Sequence, residues 1–128
     1  MRIYKKYKAD NQITLHNGDC LDLLKKLPDE SVDLVITSPP YCMGKAYEDP
    51  HDDIETFKMQ HINIFNDLYR IVKKGGSICW QVGYHVSDKC VIPLDCIIYN
   101  IFISMSEKLE IPLVLRNRII WTFGHVFH

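Results

Sequence analysis

The run Val32-Asp33-Leu34-Val35-Ile36-Thr37 is β-branched and almost wholly apolar, and it leads directly into Ser38-Pro39-Pro40-Tyr41. A strand apolar on both faces suits the inside of a parallel sheet, where helices cover either side. The two prolines then end the ladder, because neither donates an N–H and each holds its predecessor away from the helical region. Ser38 and Pro39 are thereby kept extended with their carbonyls free, and an aromatic residue follows. A rigid rim of hydrogen-bond acceptors beside an aromatic face is the expected result.

The flanking sequence supplies the partners such a strand needs. Ile13-Thr14-Leu15-His16-Asn17 alternates as a short strand and stops at Gly18-Asp19. Leu21, Leu23, Leu24 and Leu27 follow at near-helical spacing, with Asp19 as N-cap and Pro28 as stop. Residues 38–52 read as a long loop. Apolar residues from Ile54 to Val72 recur at three- and four-residue steps, giving an amphipathic helix that Gly75-Gly76 ends. Ser77 to Val82 is a strand, Pro93 opens a helix running towards Leu109, and Leu113 to Phe123 reads as one strand bulged at residues 116–118. This order implies an α/β domain with a largely parallel sheet. After its last strand the chain carries no closing helix, so the expectation is a partial domain, incomplete at the C-terminus.

Composition excludes several alternatives. With 128 residues, 47% of them hydrophobic, the chain is long enough to bury one core. A net charge of −1 gives no overall electrostatic footprint for nucleic acid. The five cysteines include no Cys-x-x-Cys pair, which argues against a disulfide framework or a zinc ribbon and fits a reducing cytoplasm. The histidines show no ligand spacing except His125-x-x-His128, so no metal site is expected. No apolar run reaches membrane-spanning length.

In an open parallel sheet, ligands bind beyond the carboxyl ends of the strands, and Gly18-Asp19 and Ser38-Pro39-Pro40-Tyr41 both fall at such ends. Acceptors at the second position suit methylation of an exocyclic amino group, whose lone pair is delocalised into a base ring. Accepting its hydrogens favours a pyramidal, nucleophilic nitrogen and stabilises the charge that develops on it. The Ser38 hydroxyl and the Pro39 carbonyl are the candidate acceptors. Tyr41 stacks on the base, which must first leave the duplex because its amino group is otherwise committed to pairing. Taken alone, Pro-Pro-Tyr is more often an ordinary turn, and Asp19 more often only a helix cap. The flanking strands favour the chemical reading.

Thr37-Ser38-Pro39-Pro40-Tyr41 after an apolar strand, with Asn17-Gly18-Asp19-Cys20-Leu21 upstream, resembles the amino-methyltransferases of bacterial restriction-modification systems. Leu68 to Gly76 and Arg116 to Trp121 extend that resemblance over nearly the whole chain. It implies a Rossmann-like methyltransferase domain using S-adenosylmethionine on double-stranded DNA. By the same resemblance, Ser38, Pro39, Pro40 and Tyr41 form the base pocket, and Asp19 with Cys20 meets the adenosine part of the cofactor. The family's Phe-x-Gly-x-Gly cofactor loop and target-recognition region do not occur in these residues, so the isolated chain is expected to be inactive without a partner or further polypeptide. Ser38 at the first signature position favours cytosine N4 over adenine N6. A non-catalytic remnant or subunit, and a methyltransferase for RNA or a small molecule, remain the alternatives.

Overall fold

The computed structural model describes residues 2–41 and 53–122. Residues 42–52 of the loop, and His125 and His128, lie outside the described residues.

Two short strands open the chain, β1 (Ile3–Tyr4) and β2 (Ile13–Thr14), paired in parallel. Helix α1 (Cys20–Leu24) follows, with the Asp19 carboxylate accepting from the Leu21 N–H at 2.8 Å. That bond satisfies one of the amides a helix start leaves unpaired, so Asp19 is the N-cap the sequence suggests. Next come β3 (Val32–Thr37), α2 (Ile54–Ile71) and β4 (Val72–Trp80), and β3 pairs with β4 in parallel. An antiparallel hairpin of β5 (Tyr84–Ser87) and β6 (Cys90–Pro93) leads into α3 (Leu94–Ser106). The chain is thus α/β as expected. The described strands, however, form three two-stranded sheets, two parallel and one antiparallel, in place of one continuous sheet.

Three local differences from the sequence reading have physical causes. Gly75-Gly76 does not end α2, because β4 begins at Val72, directly after the helix. The two glycines instead absorb a register shift: Val32 pairs with Val72 but Leu34 pairs with Ser77, so β4 carries the surplus residues. Gly75 has φ +81°, and a Cβ on Gly76 would meet the Asp33 carbonyl at 2.9 Å. Only glycine fits that pair of positions.

The β5–β6 hairpin is a second difference. Its two-residue turn, Asp88-Lys89, has φ of +49° and +64°, the type I′ pattern normally signalled by glycine or asparagine. Finally, residues 113–122 form no strand, although Leu113 to Phe123 reads as one. Strand propensity reflects how side chains pack on a sheet surface, so composition alone does not make a strand of this run. Val114, Ile119, Ile120 and Trp121 are exposed there.

The core lies where α2 and α3 cross the inner face of β3–β4. Phe57, Phe65 and Leu68 from α2 meet Leu94, Ile98 and Phe102 from α3, with Val35, Ile78 and Trp80 of the sheet packed against them. The Trp80 ring meets Phe102 edge-on at 5.2 Å, and Phe102 meets Phe65 at 5.4 Å. His61, 3% exposed, sits inside this cluster as its one imidazole. Its Nδ1 lies 2.6 Å from the Phe57 carbonyl, and Trp80 Nε1–H donates to its Nε2 at 3.3 Å. Both contacts require the neutral ring with the proton on Nδ1. Burial accordingly holds the His61 pKa below its ordinary value, the carbonyl opposing only in part.

Candidate active site at the end of strand β3

Parallel pairing brings the carboxyl ends of β3 and β4 together, since Thr37 is the register partner of Trp80. The Gln81 N–H closes the pair by donating to the Thr37 carbonyl at 2.9 Å. Ser38-Pro39-Pro40-Tyr41 therefore leaves the sheet beside Gln81-Val82-Gly83. The third strand end, Gln81 to Gly83, escaped the sequence reading. Its signal was the parallel order itself, which sets neighbouring strand ends side by side.

Within this corner Ser38 Oγ and Tyr41 Oη are 2.7 Å apart. The Tyr41 hydroxyl also points to the Gln81 carbonyl at a longer 3.4 Å. When Tyr41 donates to Gln81, Ser38 donates to Tyr41, and the Ser38 lone pairs are left to accept from a ligand. The Tyr41 ring is half-buried and leans on the core. A Cβ added at Gly83 would lie 3.5 Å from that ring, an ordinary van der Waals contact, which places Gly83 beside the Tyr41 ring. Ser38 and Pro40 are exposed, and Pro39 is half-buried.

Asp19 and Cys20 sit apart, at the exit of β2, and the contacts that join Ser38, Tyr41, Gln81 and Gly83 do not reach them. Gly18 there admits the His16 imidazole, whose Nε2 would be 3.1 Å from an added Cβ, and that nitrogen lies 3.0 Å from the Asp19 carbonyl. Partial burial, then the nearby Asp19 charge, raises the Cys20 pKa. A raised thiol pKa leaves less of the nucleophilic thiolate at neutral pH. Among the described residues no cluster of His, Cys, Asp and Glu is arranged to hold a metal ion. None of the described helices is long and apolar enough to cross a membrane.

Comparison with known proteins gives the family of the chain. A family model described as DNA methylase, covering N6 and N4 methyltransferases, matches residues 32–125, from the first residue of β3 onward. The chain belongs to this DNA methylase family. It is 41% identical over 115 residues to the type II methyltransferase M.BglII of Bacillus subtilis, covering 89% of this chain and 30% of that protein. Against the type II methyltransferase M.SfiI of Streptomyces fimbriatus it is 36% identical over 80 residues, covering 59% of this chain and 19% of that one. The DNA adenine methyltransferase YhdJ of Escherichia coli is 30% identical over 115 residues, 86% of this chain and 33% of that one. The chain thus spans a third or less of the length of each of these relatives.

Proposed function

We propose that the chain supplies the target-base side of a DNA amino-methyltransferase active site, with cytosine N4 favoured over adenine N6 as the acceptor. The observation that carries this reading is the 2.7 Å bond between Ser38 Oγ and Tyr41 Oη at the carboxyl end of β3. Through it one hydroxyl is fixed and oriented, and its oxygen becomes an acceptor for a base amino hydrogen. The Pro39 carbonyl takes the second hydrogen, because the proline ring that follows holds Pro39 extended. As the nitrogen gains positive charge, both oxygens bind it more strongly, which is the differential stabilisation that speeds a chemical step. Tyr41 offers its ring to a base rotated out of the duplex, and stacking of that kind is worth roughly 1–3 kcal/mol.

S-adenosylmethionine, when bound, supplies the methyl group. Asp19 fits it as an exposed carboxylate beyond a strand end, able to accept from the amino or hydroxyl groups of an adenosine, with Cys20 beside it. The remaining cofactor contacts belong to polypeptide outside this sequence. That view is favoured by the 30% coverage of M.BglII and by the outer face of β3, where Leu34 is 49% and Ile36 73% exposed. The chain would act in the cytoplasm as one part of a larger or split enzyme and show little methylation alone.

A chimera tests this reading. The 115 matched residues of M.BglII are replaced by those of this chain, and methylation of mixed-sequence duplex DNA is followed with labelled cofactor. Label recovered as N4-methylcytosine is the expected result. N6-methyladenine would reverse the choice of base, and a folded chimera that incorporates no label would contradict the function.

A further inference from the structure

The charges of this chain are segregated along its length. Residues 2–27 carry Arg2, Lys5, Lys6, Lys8, Lys25 and Lys26 against Asp10, Asp19 and Asp22, a net +3 within a chain of net −1. The pairing leans the same way, although Lys89, Lys108 and Arg116 also have no ion-pair partner among the described residues. Lys58, Arg70, Lys73, Lys74 and Arg118 each hold a carboxylate. None of the six cations in residues 2–27 has an ion-pair partner among the described residues.

Three of these cations line a concave surface. Lys5, Lys6 and Lys26, with Tyr7, His16 and Leu23, border an open groove of about 390 Å³. A second groove of about 510 Å³ shares Lys5 and His16 with the first and reaches Asn17. No carboxylate lines either groove. Asp19, the nearest acid in sequence to Asn17, has one oxygen committed to the cap of α1. Lysine ammonium groups left unpaired around a concave surface attract anions, and two grooves that share their lining suit an extended polyanion better than a single small one.

We propose that this cationic groove binds the phosphodiester backbone of duplex DNA, the substrate assigned to the chain under the proposed function, on which this inference rests. Lysine contacts to phosphate position a duplex without reading its sequence. The groove therefore holds the DNA, and base selection lies elsewhere. This accounts for a chain of net −1 acting on a polyanion: the attraction is local and not global.

Binding of a fluorescein-labelled duplex of about 20 base pairs to the full chain, followed by anisotropy across a salt series, tests the proposal. The unmodified chain is expected to bind at low salt, with log affinity falling linearly against log salt concentration. The triple variant Lys5→Glu/Lys6→Glu/Lys26→Glu should bind at least about tenfold more weakly, with a slope shallower by roughly 0.9 for each phosphate that is no longer neutralised. All three side chains are exposed, and circular dichroism verifies that the variant is folded. The comparison variant Lys89→Glu/Lys108→Glu changes net charge away from the groove and should weaken binding much less. Equal weakening by the two variants would overturn the proposal, as would absence of binding at low salt. Displacement of the duplex by millimolar inorganic phosphate, without effect of added sodium chloride at matched ionic strength, would reassign the groove to a small anion and also overturn it. The methylation assay on the chimera separates the two ideas. Lysine-dependent DNA binding without methylation keeps the groove and removes the proposed function, and methylation with lysine-independent binding does the reverse.

Discussion

The two parallel strand pairs differ in how they treat their surroundings. The β3–β4 pair lies against α2 and α3, has an aromatic cluster beneath it, and ties its cations to acids, as Lys73 does with Asp33 at 2.8 Å. The β1–β2 pair is two residues long on each side and contributes no residue to the buried core, and Lys5 and Lys6 beside it border an open groove without an ion-pair partner among the described residues. One region is packed on the core and the other is open to solvent. The Ser38–Tyr41 corner emerges from the packed pair, as a site that must hold acceptors to within fractions of an ångström requires. The lysines emerge from the other, where charge matters more than position.

This contrast can be broken first by large-to-small substitutions. Phe102→Ala, which removes a ring packed on both Trp80 and Phe65, should lower unfolding free energy by about 3–5 kcal/mol in urea titration. Asp19→Ala, which removes only the α1 cap, should lower it by about 1 kcal/mol. Equal losses would mean that the β1–β2 side is as integral to the core as α3.

A smaller effect sharpens the same contrast through pH. The folded pKa of His61 is depressed by burial, so below the ordinary histidine value near 6.5 the unfolded chain takes up a proton that the folded chain resists. The His61 contribution is fully present above that value and is lost as pH falls through it. Melting temperature should therefore drop between about pH 7.5 and 5.5, and His61→Phe should flatten that slope. An unchanged slope would place the pH sensitivity outside the core.

The parts of the molecule that could be read from sequence are those whose cause is local. Asp19 caps α1 because its side chain reaches an amide two residues away, and α2 follows its apolar spacing to within a residue of the expected ends. What escaped reading depends on distant neighbours. Gly75-Gly76 looks like a helix stop until the register of β3 shows it absorbing surplus residues. Asp88-Lys89 gives half a turn signal, since Asp tolerates positive φ but Lys89 stands where glycine is usual. Residues 113–122 have the composition of a strand but form none among the described residues. The candidate site divides along the same line. The Pro39-Pro40 rim follows from proline chemistry, whereas Gln81 and Gly83 enter only through the side-by-side ends of two parallel strands.

The central claim is that Ser38 is the acceptor for the target amino group and that Tyr41 orients it. Single-turnover methylation by the M.BglII chimera, with saturating DNA and cofactor, tests it most directly. Ser38→Ala is predicted to slow the chemical step by roughly 10²-fold or more, the scale for losing one preorganised polar contact to a developing charge. Tyr41→Phe, which keeps the ring and removes the 2.7 Å contact, should slow it less, by about tenfold, without weakening DNA binding. Rates equal to those of the unmodified chimera in both variants would contradict the account.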